Sequence, residues 1–312
     1  MYVLGIDAGG TKTHCVIADE NENILAEGFA GASQHQLFGI RQTEENLQLA
    51  VSAALKEADL TLQDLSYAVL GMSGADGEDD LALLNPAAEK VLPGVPFRVV
   101  HDAWIGMYSA LKEPFGVVSI CGTGAGHAGR NRQGDELTLR NLDYRLGNYG
   151  GGGDLVEKAL HYAFRSDEGT YERSALEAAV PPIFGVSTME DVCRLLKQNP
   201  LSDKERYQLP ITVFQLANSG DSVCRMLIHD LGHEEGLYAA AVIRRLHMEN
   251  EQVPVVLIGS LFHSDDPLLL DPFMEAVRTA APAAYPVLPT RKPVTGAVRM
   301  ALFILQDIKE RK

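Results

Sequence analysis

The 312-residue sequence predicts an α/β fold built as two similar domains. Three observations carry that prediction. An apolar run, Tyr2-Val3-Leu4, leads through Gly5-Ile6-Asp7-Ala8-Gly9-Gly10-Thr11-Lys12-Thr13 into His14-Cys15-Val16-Ile17-Ala18, which reads as strand, glycine turn, strand. The hydrophobic period then switches between two and 3.6, so strands and helices alternate. The same strand–turn–strand layout begins again about 115 residues later, at Val117-Val118-Ser119-Ile120-Cys121-Gly122-Thr123-Gly124-Ala125-Gly126.

In order, residues 3–8, 13–19 and 24–30 read as strands, with Asp19 to Asn23 turning between the second and third. Leu47, Ala50, Val51, Ala54, Leu55 and Ala58 recur at helical spacing, which predicts an amphipathic helix over 43–58. Tyr67 to Gly71 is a buried strand that ends in Met72-Ser73-Gly74-Ala75-Asp76-Gly77. A helix over 79–91, a strand over Phe97 to Asp102 and a short helix over Ala103 to Leu111 follow, giving β-β-β-α-β-α-β-α. After the second glycine turn, His127 to Arg130 and Leu137 to Leu139 return as strands. Leu155, Val156, Ala159, Leu160, Ala163 and Phe164 make one helical stripe behind the run Gly150-Gly151-Gly152-Gly153-Asp154. Residues 166–250 read as helices broken at Pro181-Pro182, Pro200 and Pro210, with separate helices at Ser222 to Leu231 and Gly236 to His247. Val253 to Ser260 is a buried strand, and Pro293 opens a last helix bearing Val298, Ala301, Leu302 and Leu305. The expected division is 1–112 and 113–294, with a helix over 295–312 packing back on the first domain. The helical region is the body of the second domain and a candidate dimer surface, and a homodimer is the expected assembly.

Composition narrows the function. Hydrophobic residues make up 46% and charged residues 22%, a globular balance. The net charge of −15 disfavours nucleic acid and anionic membrane surfaces, which need clustered Lys and Arg. Cys15, Cys121, Cys193 and Cys224 form no C-x-x-C pair, so reduced thiols in a cytoplasmic protein are expected. No signal peptide or membrane span is read.

The glycine turns suggest phosphate. Adjacent Gly9 and Gly10 remove Cβ atoms where backbone bends and approaches a ligand. The Thr11 hydroxyl and backbone amides of Gly9 to Thr13 can face phosphate oxygens, Lys12 adds charge, and Asp7 can hold Mg2+ through water. A plain hairpin with a solvent-facing aspartate is the alternative for this stretch. The glycine run before the helix at Leu155 is either an anion-friendly helix N-terminus or a flexible connector. Asp102, at the carboxyl end of a strand, is either a helix cap or a general base able to take a hydroxyl proton. His101 and His127 read as packing or hydrogen-bonding residues, and Trp104, the single tryptophan, as core or cleft wall.

Taken in order, Asp7-Ala8-Gly9-Gly10-Thr11-Lys12-Thr13, Met72-Ser73-Gly74-Ala75-Asp76, His101-Asp102-Ala103, Cys121-Gly122-Thr123-Gly124-Ala125, Leu257-Ile258-Gly259-Ser260 and Pro293-Val294-Thr295-Gly296-Ala297 resemble the actin/hexokinase/Hsp70 nucleotide-binding superfamily. Within it the chain is similar to the N-acetylglucosamine kinase-like members of the BadF/BadG/BcrA/BcrD ATPase family. The resemblance implies two ribonuclease-H-like domains around a nucleotide-binding cleft, with ATP and Mg2+ used to phosphorylate an amino sugar. It implies a first phosphate loop at Asp7 to Lys12, a second at Gly122, Thr123 and Gly124, and an adenosine contact at Gly259 and Ser260. It implies Asp102 as catalytic base, with Gln34, Ser73, Gly74, Asp76 and Asn148 beside the sugar.

The sequence departs from that pattern at Gly147-Asn148-Tyr149-Gly150, where the sugar kinases carry Gly-Asp-Glu-Gly. Asn148 still accepts a hydrogen bond but carries no charge, and Tyr149 is bulkier than glutamate. Two other functions compete. An activator of a radical dehydratase needs two exposed cysteines to hold an iron–sulfur cluster between subunits. A non-catalytic sugar sensor needs neither intact phosphate loop.

Overall fold

The computed structural model describes residues 1–140, 144–264 and 266–310. The chain divides into two compact units, one of Met1–Val118, Ala128–Arg140 and Val287–Lys312, the other of Ser119–His127 and Asn141–Pro286.

Three antiparallel strands open the chain: β1 (Tyr2–Ala8), β2 (Thr13–Asp19) and β3 (Ile24–Ala30). A short α1 (His35–Phe38) precedes α2 (Ile40–Ala58), and β4 (Leu65–Met72), α3 (Glu78–Val91), β5 (Phe97–His101) and α4 (Asp102–Ala110) follow. The first sheet has the order β3-β2-β1-β4-β5. β1 is parallel to β4, and β4 to β5. Such central strands are buried on both faces and read as near-continuous apolar runs, as Val3, Leu4, Ile6, Val69 and Leu70 do. The predicted stripe of α2 is seated: Leu47, Ala50, Val51 and Ala54 are buried with Ile17, Leu70 and Leu84 in one core. Full burial of a side chain such as Leu47 stabilises by about 1.5–3 kcal/mol.

The register positions the site. Asp7 lies opposite Gly71, Ala8 opposite Met72, and Met72 opposite His101. Asp7, the Ser73–Gly77 loop and Asp102 therefore leave the sheet at one edge, the carboxyl ends of three parallel strands.

The second sheet has the order β10-β9-β6-β7-β8, formed by β6 (Gly116–Cys121), β7 (Ala125–Arg130), β8 (Glu136–Thr138), β9 (Pro254–Ile258) and β10 (Tyr285–Val287). Between β8 and β9 run α5 (Gly151–Asp167), α6 (Leu176–Ile183), α7 (Met189–Gln198), α8 (Asp203–Asn218) and α9 (Ser222–Arg245). α10 (Pro267–Arg278) lies between β9 and β10, and α11 (Pro293–Glu310) packs on β1 and α4. Arg311 and Lys312, the end of the expected last helix, lie outside the described residues.

Three expected breaks are absent. Pro181 and Pro182 lie inside α6, and Pro210 lies inside α8. The two helices expected over 222–247 are one, α9. The expected gap over 232–235 is helical, and Gly232 and Gly236 let α10 approach: a Cβ on either would overlap the backbone carbonyl of Leu269 or Phe273. Close helix contact outweighs the modest helix penalty of glycine. Among the described residues no helix is long and apolar enough to cross a membrane.

Candidate active site

The first glycine turn is a supported structure, not a bare hairpin. The Gly9 amide donates to the Lys12 carbonyl at 3.0 Å, and the Ser33 amide donates to the Gly9 carbonyl at 3.0 Å. Thr13 is fully buried; its hydroxyl donates to the Gly31 carbonyl at 2.7 Å and pairs with the Ser33 hydroxyl. Thr13 thus holds the turn from below, while Thr11 and Lys12 are exposed at its tip. Gln34 lies against the turn, with Oε1 2.8 Å from where a Cβ on Gly10 would stand. Asp7 sits at the base. Burial, then the nearby Asp102 charge, raises its pKa from 3.8 to about 6, and Lys12 works in the opposite sense.

Asp102 begins α4 but does not cap it. The His101 ring does, accepting from the Ala103 amide through Nδ1 at 3.1 Å. The carboxylate is left free for other work: Oδ1 is buried and has no hydrogen-bond partner among the described residues. It stands 3.1 Å from His101 Nδ1, while His101 Nε2 stands 3.2 Å from Asp76 Oδ1. Burial pushes the His101 pKa down, and Asp102 and Asp76 together push it up by more, so it lies above the ordinary histidine value.

Ser73, Gly74 and Asp76 form the loop beside them. The Ser73 amide donates to the Ala8 carbonyl at 2.9 Å, which ties the loop to the end of β1. Gln36 Nε2 donates to the Gly74 carbonyl at 3.2 Å, Asp76 Oδ2 at 3.0 Å and Asp80 Oδ1 at 3.2 Å. His35 Nε2 stands 2.9 Å from Asp80 Oδ1. The sequence reading missed Gln36, His35 and Asp80; their only local signal is adjacency to Gln34 and to the helix start after Gly77. His101, expected as a packing or hydrogen-bonding residue, lies within hydrogen-bond distance of two carboxylates, Asp76 and Asp102.

In the second unit, the Gly122 amide donates to the Gly124 carbonyl at 3.0 Å, leaving Thr123 and Gly124 exposed at the tip. The glycine run is neither a flexible connector nor an open anion site. Its amides are occupied: Gly150 by Asp154 Oδ2 at 2.8 Å, Gly151 by Glu235 Oε1 at 3.1 Å, Gly152 by the Gly122 carbonyl at 2.7 Å and Gly153 by the Thr123 carbonyl at 2.8 Å. Gly151 has φ +75°, and a Cβ there would lie 2.5 Å from the Gly124 carbonyl carbon. Gly259, φ +108°, abuts the Cys121 carbonyl in the same way, and Ser260 beyond it is exposed. Only glycine fits such approaches. Behind the turn Glu235 is fully buried, its Oε2 3.2 Å from Nε2 of the equally buried His127.

Asn148 donates to the Ala125 carbonyl at 3.4 Å. Tyr149 is buried, its amide donating to the Tyr238 hydroxyl at 2.9 Å, and the Lys158 ammonium lies 4.2 Å from its ring centroid. A cavity of about 820 Å3 lined by Tyr149, Lys158, His161 and Arg206 opens beside this segment. None of the residues predicted for the site lines it, so its size marks no chemistry.

The residues suit a magnesium nucleotide. Among the described residues no cluster of three or more His, Cys, Asp or Glu forms a metal cage. Mg2+ needs none, since it keeps waters and phosphate oxygens and takes one or two carboxylates; Asp7 is such a carboxylate, next to an exposed threonine, a lysine and a glycine turn.

The two five-stranded sheets and their helices make a fold of the actin/hexokinase type. Over 98% of this chain and 99% of that one, it superposes with a TM-score of 0.74, at 22% identity, on a proposed N-acetylglucosamine kinase from Chromobacterium violaceum. A ROK-family glucokinase from Streptomyces griseus, solved with glucose and AMPPNP, gives a TM-score of 0.62 at 17% identity over 98% of this chain and 100% of that one. The chain belongs to the BadF/BadG/BcrA/BcrD ATPase family, whose model matches residues 4–301. In sequence it is similar to an N-acetylmuramic acid/N-acetylglucosamine kinase from Clostridium acetobutylicum, 26% identical over 96% of this chain and 98% of that protein. It is also similar to an N-acetyl-D-glucosamine kinase from Dictyostelium discoideum, 24% identical over 96% of this chain and 97% of that protein.

Proposed function

We propose that the chain is a cytoplasmic amino-sugar kinase that transfers the γ-phosphoryl group of ATP to a sugar hydroxyl, with N-acetylglucosamine as the first acceptor to test. N-acetylmuramic acid follows, since the relative from Clostridium acetobutylicum is named for both. The observation that carries the reading is Asp102: a carboxylate at the carboxyl edge of a parallel sheet, close enough to Asp7 to act on its charge, with one buried oxygen awaiting a donor. A sugar hydroxyl is a poor nucleophile until its proton is accepted, and Asp102 accepts it as the oxygen attacks phosphorus. Lys12 and the amides of the first turn stabilise phosphate charge, and Thr123 and Gly124 do so from the second turn. Mg2+, when bound with the nucleotide, neutralises charge on the transferring phosphate, and Asp7 orients it through water. Gln34, Ser73, Gly74, Asp76 and Asn148 contact the sugar in this reading, and Gly259 and Ser260 the adenosine.

The alternative role as a dehydratase activator is disfavoured by its thiols. Cys15, Cys121 and Cys224 are buried, and burial pushes each far above the ordinary thiol pKa, away from the exposed thiolate that a shared cluster requires. The free cysteines suit a reducing compartment. Asp102→Asn tests the assignment: kcat for sugar-dependent ADP release falls about a hundred- to ten-thousandfold, while the KM for ATP changes little. Full turnover in that variant removes Asp102 from the role.

A further inference from the structure

The His101 ring has two neighbours with conflicting demands. Nε2 faces Asp76 Oδ1 at 3.2 Å. An ionised carboxylate only accepts, so Nε2 carries the hydrogen. In the neutral ring Nδ1 is then the acceptor, and the Ala103 amide donates to it at 3.1 Å. Asp102 Oδ1 lies 3.1 Å from that same Nδ1 and has no other partner among the described residues. With the ring neutral, the single lone pair of Nδ1 is taken by the Ala103 amide, and the ionised Asp102 Oδ1 beside it has no donor. A proton placed on Nδ1 displaces the amide and gives Asp102 Oδ1 a charge-assisted hydrogen bond.

We propose that His101 is the positioning residue of Asp102 and the second holder of the proton taken from the acceptor hydroxyl. The inference rests on the reading of Asp102 as the kinase base. The balance is simple. The hydroxyl O–H bond breaks and the O–P bond forms, while the bond between the γ-phosphorus and its bridging oxygen breaks and its electron pair leaves with ADP. The proton moves to the Asp102 carboxylate and is shared across Oδ1···Nδ1, where it takes the Nδ1 lone pair that otherwise accepts from the Ala103 amide. It returns to water after product release. Asp76 compensates the ring throughout, and Gln36 fixes the other oxygen of Asp76 at 3.0 Å. The charged groups around the ring are Asp76 from the loop after β4 and Asp102 from α4. Beyond them Asp7, at the end of β1, acts on Asp102, and Asp80 from α3 is tied to Asp76 through Gln36. His101 itself is buried, so the shared proton is shielded from bulk water.

The test compares steady-state kinetics and thermal melting of the full chain for wild type, His101→Asn and His101→Phe, with ATP and N-acetylated amino sugars. Asparagine keeps an acceptor for the Ala103 amide but does not hold a proton at neutral pH; phenylalanine loses both. The expected result is a kcat about tenfold or more below wild type in His101→Asn, with both KM values within about twofold and the melting temperature close to wild type. His101→Phe loses as much kcat and some stability. Wild-type kcat in His101→Asn would reduce His101 to a helix cap and overturn the inference while leaving the kinase reading standing. Absence of phosphoryl transfer by wild type to every sugar would overturn the kinase reading and this inference with it.

Discussion

The two glycine turns share a layout and are held up by different means. In the first, side chains add to two backbone hydrogen bonds: Thr13 on Gly31 and Ser33, Gln34 against Gly10, with Asp7 and Lys12 supplying opposite charges. The second has no acid or base between Gly122 and Ala125. There the backbone is the support, through Gly152 and Gly153 amides on its carbonyls and through Gly151 and Gly259 pressed against it. Charge chemistry therefore sits in the first turn and close backbone packing in the second. Substitutions ought to separate the two, the first turn failing in catalysis and the second in folding.

The largest expected effect is in the second turn. Gly151→Ala places a methyl group 2.5 Å from Gly124 backbone at φ +75°. Neither the clash nor the left-handed conformation can relax cheaply, so the loss is about 3 kcal/mol or more. A melting temperature within 2 °C of wild type, on a scale where 1 kcal/mol shifts a large domain by roughly 2–4 °C, would show that this packing is looser than described.

Asp7→Asn is the converse case. Burial and the Asp102 charge hold the Asp7 pKa at about 6 against an ordinary 3.8. Between about pH 4 and pH 6 the folded chain keeps a proton that the unfolded chain has released, so stability falls as pH rises through that window. Above it the penalty is constant, on the order of 3 kcal/mol. Asp7→Asn removes the penalty, so the variant melts higher than wild type at pH 7.5, equals it near pH 4, and loses about a hundredfold or more in turnover. His101, with its raised pKa, works in the same sense: its contribution is present below the ordinary histidine value and is lost as pH rises through the shifted one. A melting curve for Asp7→Asn that tracks wild type at every pH would break the contrast, since the first turn would then carry no buried charge.

Much of this contrast was legible in the sequence, and the illegible part has a physical reason. The places of Asp7 and Asp102 at strand ends were legible because strand period and glycine punctuation mark where parallel strands end. The α2 stripe was legible for the same reason, since burial of one helical face writes a 3.6 period into the chain. The carboxylate of Asp102 could not be told from a cap until the His101 ring was seen in that place. The gap expected between Leu231 and Gly236 does not form because Gly232 and Gly236 pack on α10, more than 30 residues away, which no local spacing announces. Gln36 and Asp80, 44 residues apart, and Glu235 and Gly151, 84 apart, meet only through tertiary packing, and no local spacing announces them. The occupied amides of Gly150 to Gly153 show the same limit, because a helix N-terminus looks equally open to phosphate and to its own fold until the partners are placed.

The smallest expected effect on stability decides most about the second turn. A Cβ on Gly124 meets nothing within 4 Å, and the residue is exposed. Nothing inside the fold requires glycine there, so Gly124→Ala changes stability by no more than about 0.5 kcal/mol. If the open tip is where phosphate oxygens approach backbone, the added methyl group obstructs that approach. The KM for ATP then rises about tenfold, with kcat at saturating nucleotide nearly unchanged and the sugar KM unaffected. An unchanged KM for ATP would mean that the second turn is a structural copy of the first without its ligand, leaving the charged first turn to bind phosphate alone.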